Sequence, residues 1–295
     1  MDLQSFVSIL ISGVALGVLY ALMAFGLAIV WTTLGIFNFA HGAFIAVGAY
    51  LAWQFGSAAG LGLGYLPGAG LAVAAMFLLG VATQFVLVRP FERQKDIVLL
   101  TVITTLAGAT ILTNLLNVVW GPRMKQIEPA AGGELSFGLV HLRSQEAIMV
   151  VVVGATLAAL AWFLLRTATG RSMRAVAQNR EAAQLMGLDV HRLYALTFGL
   201  AAAVAGLAGI FIASIRFMSP NMGDDPLQKA IVVVILGGVA RFTYSIYAAF
   251  VVGMIEAFST YYVGLYWTPA VLFGLMILVL IVKPEGLFGR RQRSV

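Results

Sequence analysis

Apolar runs of about 20 residues recur along the whole 295-residue chain, and nothing else constrains its fold as strongly. A run of that length spans the hydrocarbon core of a bilayer. No water is present there to satisfy backbone N–H and C=O groups, so each run must close its hydrogen bonds within itself as a helix. The strands of a membrane β-barrel alternate in polarity, and these runs do not. Hydrophobic residues make up 61% of the chain and its mean hydropathy is +0.97, well beyond the composition of a soluble domain. The expected fold class is therefore all-α: a polytopic integral membrane protein forming one transmembrane domain over 1–295.

Apolar length places spans near 6–30, 36–55, 66–88, 97–118, 145–166, 193–215, 227–240, 244–262 and 267–282. The 227–240 run is short for a crossing and reads as a tilted, partial or broken helix. Asp2 is the sole charge in the first 30 residues, so this stretch lacks the basic start of a cleaved signal peptide and reads as the first span. Either nine spans run from an outside N-terminus, or 36–55 is re-entrant and eight spans leave both ends inside; eight is preferred.

The formal charge of +6 does not point to nucleic acid, because the basic residues sit in short loops between spans. Counted by side, Arg89, Arg93, Lys95, Arg166, Arg171, Arg174, Arg180, Arg192, Arg241, Lys283, Arg290, Arg291 and Arg293 oppose Arg123, Lys125, Arg143, Arg216 and Lys229. The excess of Lys and Arg on cytoplasmic loops then places 167–192 and the C-terminal tail 283–295 in the cytoplasm. Small residues four apart, as at Gly13 and Gly17, and the run from Ala201 to Gly209 are suited to close helix packing.

The polar stretch "GRSMRAVAQNREAAQLMGLD", Gly170 to Asp189, interrupts this pattern. On a helical wheel Ala175, Val176, Ala182, Ala183 and Met186 share one arc, with Arg174, Arg180, Glu181 and Gln184 opposite. Gly187 follows where a left-handed C-cap would end the helix. One short amphipathic helix is expected. On this chemistry it either lies on the membrane surface or docks on a partner.

Glu181-Ala182-Ala183, followed after three residues by Gly187, resembles the EAA loop of bacterial ABC-importer permeases. "GIFNFAHGAFIAVGAY", "RAVAQNREAAQLMGLDVHRLYALTF", "AIVVVILGG" and "LFGLMILVLIVKPEGLFG" are, in that order and spacing, similar to the permease subunits of branched-chain amino acid ABC importers, the shorter LivH-type subunit in particular. The resemblance covers essentially the whole chain. It implies about eight or nine transmembrane helices in the bacterial cytoplasmic (inner) membrane and a cytoplasmic coupling helix that docks on an ATPase through Arg174, Val176, Glu181, Ala182, Ala183, Met186 and Gly187. It also implies inward transport of branched-chain or related small amino acids. The implied partners are a homologous second permease, two cytoplasmic ATP-binding subunits, a periplasmic or extracytoplasmic solute-binding protein and membrane lipid. Related members act on urea, short amides or other amino acids. Where relatives carry more glycine and serine after "LGG", this chain has Val239-Ala240-Arg241-Phe242-Thr243, which leaves the substrate open.

Ionisable and polar residues inside apolar runs are candidates for a translocation path or for switching. Glu256 is the strongest, and Asn38, His41 and Gly42 mark unwound backbone between two apolar stretches. No enzyme is expected: the three histidines lie far apart, the chain has no cysteine, and no metal-ligand spacing appears. None of the four lysines follows a glycine or precedes Ser or Thr, which excludes a Walker A loop. The chain needs no cofactor of its own in this reading, ATP being bound by partner subunits. A secondary transporter without an ATPase is the remaining alternative.

Overall fold

A computed structural model describes residues 3–92, 94, 96–137, 140–238 and 242–288. Arg93, Lys95, Val239, Ala240, Arg241 and the tail arginines Arg290, Arg291 and Arg293 lie outside the described residues. Eleven helices form among the described residues, and every apolar run expected to be a span has become one. They are α1 (Leu3–Leu34), α2 (Ala40–Gly56), α3 (Tyr65–Thr83), α4 (Ile97–Trp120), α5 (Ser144–Arg166), α6 (Ala168–Gln178), α7 (Arg180–Leu185), α8 (Val190–Ile215), α9 (Asp224–Gly237), α10 (Phe242–Tyr262) and α11 (Thr268–Val282). Five segments are long and apolar enough to cross a membrane by length and composition: Leu3–Leu34, Tyr65–Phe91, Ile97–Trp120, Ser144–Arg166 and Val190–Ile215. The 14-residue α9 confirms that the 227–240 run is short.

Two departures from the expected pattern stand out. A short antiparallel hairpin pairs β1 (Glu134–Phe137) with β2 (Val140–Arg143), Glu134 opposite Arg143, so the all-α class carries one small exception. It joins α4 to α5, outside the apolar runs. Secondly, α3 does not stop at Thr83 but passes through a π-helical turn, Gln84–Val88, and a 3-10 turn, Arg89–Phe91. Pro90 forces part of this, since it lacks the N–H that would continue the ladder.

The chain divides into two units, Ile29–Ala130 with Thr156–Leu227, and Met1–Ala28 with Ala131–Ala155 and Gln228–Val295. In the first, α8 packs on α2 and α3 through the small-residue run from Ala201. A Cβ placed on Gly48 would fall 2.2 Å from the Gly206 Cα, and one on Gly209 would fall 1.9 Å from the Ile45 carbonyl oxygen. In the second, Gly13 and Gly17 of α1 receive α10, where a Cβ on Gly253 would lie 2.5 Å from the Gly17 nitrogen. Without a hydrophobic drive between helices in lipid, this backbone approach supplies the packing contacts. On α4, α5 and α11, by contrast, Ile111, Val118, Val151, Trp162 and Ile281 are exposed. A large outward-facing apolar surface is what lipid contact requires and what a soluble monomer avoids.

Adding a methyl at the α2–α8 crossing should destabilise the protein by about 1–3 kcal/mol, because backbone rather than a movable side chain blocks it. Gly48→Ala is expected to lower the melting temperature in detergent. Gly70→Ala on α3, where nothing lies within 4 Å, should leave it unchanged or slightly raised.

Candidate functional site

The polar stretch between α5 and α8 is built almost entirely from caps. Thr167 opens α6, its Oγ1 accepting from the Gly170 N–H at 3.0 Å. Asn179 is extended (φ −155°, ψ 106°) and its Oδ1 accepts from the Ala182 N–H at 2.9 Å, which makes it the N-cap of α7. The single helix expected from the wheel is thus corrected to two, broken at Asn179, because the asparagine side chain competes for backbone donors that a continuous helix would use. Gly187 ends α7 as expected, at φ +83°. Its N–H donates to the Gln184 carbonyl and the Leu188 N–H donates to the Ala183 carbonyl, the paired bonds of a Schellman turn. Asp189 then caps α8 through the Arg192 N–H.

The break also re-sorts the apolar arc. Met173, Val176 and Ala183 turn inward and are buried, whereas Ala175, Glu181, Ala182, Leu185 and Met186 face outward. Leu185 and Met186 are 88% and 83% exposed, an apolar tip on an otherwise polar loop. The arginines are engaged close to home. Arg171 Nη1 donates to the Arg166 carbonyl and Arg174 Nη2 to the Leu165 carbonyl, closing the C-terminus of α5. Arg180 reaches Glu92, and Arg192 pairs with Asp189 at 2.8 Å. Val176 and Ala183 of the expected docking set therefore lie inside the protein, Arg174 caps α5, and Glu181, Ala182, Met186 and Gly187 remain on the outer face.

Asn38 lies where the chain unwinds between α1 and α2, whereas His41 and Gly42, expected in unwound backbone, fall in the first turn of α2. Asn38 is 1% exposed, and its Oδ1 accepts from the Ala40 N–H at 3.1 Å while its carbonyl accepts from the His41 N–H. The Phe39 N–H donates to Thr105 Oγ1 on α4 at 3.3 Å. Asn38 Nδ2 and Thr101 Oγ1 are buried without a partner among the described residues. Gly42 gives way to the entry into α9: a Cβ there would lie 2.8 Å from the Gly223 carbonyl oxygen. The result is a buried cluster of polar groups at the start of α2, flanked by apolar helices.

Glu256 lies in the other unit and is not the lone acid that its apolar surroundings suggested. Tyr20 Oη donates to Oε2 at 2.5 Å, and Lys229 Nζ donates to Oε1 at 2.7 Å. The Lys229 ammonium also sits 5.6 Å from the centre of the Tyr20 ring. One carboxylate thus ties α1, α9 and α10 together. Lys229 belongs to helix α9 rather than to a loop, which removes it from the count of orienting loop charges.

A family model for the permease component of branched-chain amino acid transport systems matches residues 9–280. The chain belongs to this permease family. It is 29% identical to the high-affinity branched-chain amino acid transport system permease protein LivH of Escherichia coli strain K12, over 97% of this chain and 96% of LivH. It is 28% identical to the corresponding protein BraD of Pseudomonas aeruginosa, over 99% of this chain and 98% of that one. LivM of the same E. coli strain is 31% identical over 92% of this chain but 68% of its own length. A solved structure of PsaBC from Streptococcus pneumoniae in complex with Fab shares the fold, with a TM-score of 0.53 at 12% identity, covering 93% of this chain and 91% of that one. Family and apolar helices together make the chain a multi-pass integral membrane transport permease.

For a permease of this family the buried pair at Glu256 yields a direct expectation. Removing one partner of a buried ion pair leaves an uncompensated charge, at a cost of about 3–5 kcal/mol, whereas removing both is far milder. Glu256→Gln and Lys229→Gln should each lower the melting temperature of the purified protein, and the double variant should recover most of that loss. Two equal and additive losses would contradict the pairing.

Proposed function

We propose that this chain is the membrane-spanning subunit of a bacterial ABC importer that moves branched-chain or related small amino acids inward across the cytoplasmic membrane. It pairs with a homologous second permease, two cytoplasmic ATP-binding subunits and an extracytoplasmic solute-binding protein. The chain itself catalyses nothing; ATP is bound and hydrolysed by its partners. The 13-to-5 asymmetry of basic residues, 13-to-4 once Lys229 is set aside, supports a cytoplasmic position for the α6–α7 loop.

The Leu185–Met186 tip carries this reading. An apolar pair held clear of the protein by a capped six-residue helix and a Schellman turn is costly to leave in water, and it is shaped to enter a groove on another protein. Glu181 and Ala182 flank it on the same outward face, with Gly187 setting the exit direction. Val176 and Ala183 anchor the loop from inside. A purely lipid-orienting helix would instead leave its arginines free to meet anionic headgroups, and here each arginine has a protein partner.

In this reading substrate passes at the interface with the second permease, and the Asn38–Gly42 segment together with the Glu256–Lys229–Tyr20 group switches between outward- and inward-open states. Asn38 Nδ2, without a partner among the described residues, offers a donor to a polar group or water that enters. An ion-coupled carrier would need titrating relay groups that release their partners, whereas Glu256 is held by two donors on separate helices.

Reconstitution with the cognate ATP-binding, second-permease and solute-binding subunits should give ATP-dependent leucine uptake that stops without the binding protein. Replacing Leu185 and Met186 together by Ser should reduce ATPase copurification at least tenfold, about 1.4 kcal/mol, without removing the permease from the membrane. Leucine uptake by this chain alone in liposomes would overturn the assignment.

A further inference from the structure

Glu92 follows the 3-10 turn that ends the α3 segment, and its side chain is 1% exposed although it sits in a connecting loop. An acid so withdrawn from water needs donors; two side chains donate to it and a third stands beside it. Gln84 Nε2 donates to Oε1 at 2.9 Å; Arg180 Nη2 donates to Oε2 at 3.2 Å; His191 Nδ1 lies 2.8 Å from the same Oε2. Gln84 precedes Glu92 by eight residues, which a straight α-helix would separate by about 12 Å along its axis. The change from α to π to 3-10 winding and the turn after Phe91 fold the acid back onto the glutamine. Arg180 is the first residue of α7, and its guanidinium carbon stands 5.4 Å from the centre of the Tyr194 ring on α8. His191 lies in the first turn of α8.

A six-residue helix has no stability of its own, because nucleation costs more than so few bonds return. What fixes α7 is the Asn179 cap, buried Ala183, the turn at Gly187 and the Arg180–Glu92 pair. Among the described residues that pair is the ionic link from α7 to the end of α3. It acts on the one part of the α3 segment, among the described residues, whose ladder is irregular, and π and 3-10 turns within a helix often mark hinges or functional sites.

We propose that Glu92 is a positioning residue for coupling: it carries displacement of α7 into the π and 3-10 segment of α3, so that movement of the docked tip changes a transmembrane helix as well as the loop. This rests on the reading that an ATPase grips α7. Glu92 touches neither substrate nor ATPase; it acts through Arg180 and Gln84.

The test uses the whole reconstituted complex and two readouts. The native chain has no cysteine, so spin labels on Gln94→Cys and Gln184→Cys, both exposed, report directly how firmly α7 is held beside the end of α3. The second readout is radiolabelled leucine transported per ATP hydrolysed. Glu92→Gln should broaden the distance distribution and lower leucine moved per ATP by roughly fivefold or more, the scale of ordinary coupling energies, with the ATPase still copurifying. The Glu92→Gln/Arg180→Gln double variant should be no worse than the single one, as expected when two residues act through each other. If Glu92→Gln does not assemble, Arg180→Gln makes the same test, its side chain being one-third exposed. An unbroadened distribution, an unchanged leucine-to-ATP ratio or additive losses in the double variant would overturn the proposal. Absence of any ATPase from the wild-type preparation would instead overturn the docking reading, which the spin-label distances do not depend on.

Discussion

A carboxylate withdrawn from water has to be neutralised where it sits, and each unit of this permease is organised around one such group. Glu256 gathers Tyr20 from α1 and Lys229 from α9. Glu92 gathers Gln84, Arg180 and His191. Buried ionic groups contribute little net stability compared with well-packed apolar side chains of the same volume, yet are costly to break singly. Their use here is therefore geometric. Glu256 sets α1, α9 and α10 against one another, and Glu92 sets the end of the α3 segment against α7.

Close backbone approach does the complementary work. The Gly48–Gly206 and Gly17–Gly253 crossings leave no room for a side chain, so each fixes an axial register as firmly as the charges fix orientation. Between crossings, interruptions fall where a side chain or a glycine can take over the backbone bonds. Asn38 bonds the start of α2, Asn179 separates α6 from α7, and Gly187 turns the chain into α8. The polar groups left by these breaks are the raw material of the candidate path and of the proposed coupling loop.

Much of this was legible in the sequence, and its limits have physical causes. Apolar length located the long helices because lipid leaves a 20-residue run no other structure. Small residues four apart foretold the crossings, and Gly187 the turn, since both are local requirements. The break at Asn179 is invisible to a helical wheel, which scores polarity but ignores a side chain that caps; an asparagine three residues before the N–H it bonds is the available signal. In sequence Lys229 reads as a loop charge, and Glu92 carries no signal of its own. Their partners lie 27 and 88 residues away in sequence, and no periodicity reports a pairing at that range. The β1–β2 hairpin, with four residues per strand, is too short to show alternation against an apolar background. The family resemblance, by contrast, rested on motifs spread along the chain, and the match over residues 9–280 agrees with it.

In the proposed function the outward tip of α7 is held by an ATPase rather than by lipid. A photo-activatable amino acid at position 186, compared with one at Ala175 on the outer face of α6, measures this in intact membranes. The account predicts a cross-link from position 186 to a nucleotide-binding subunit, strongest before ATP is added and altered by it, with little from position 175. Cross-linking from 186 to lipid alone, in cells that express all subunits, would contradict it.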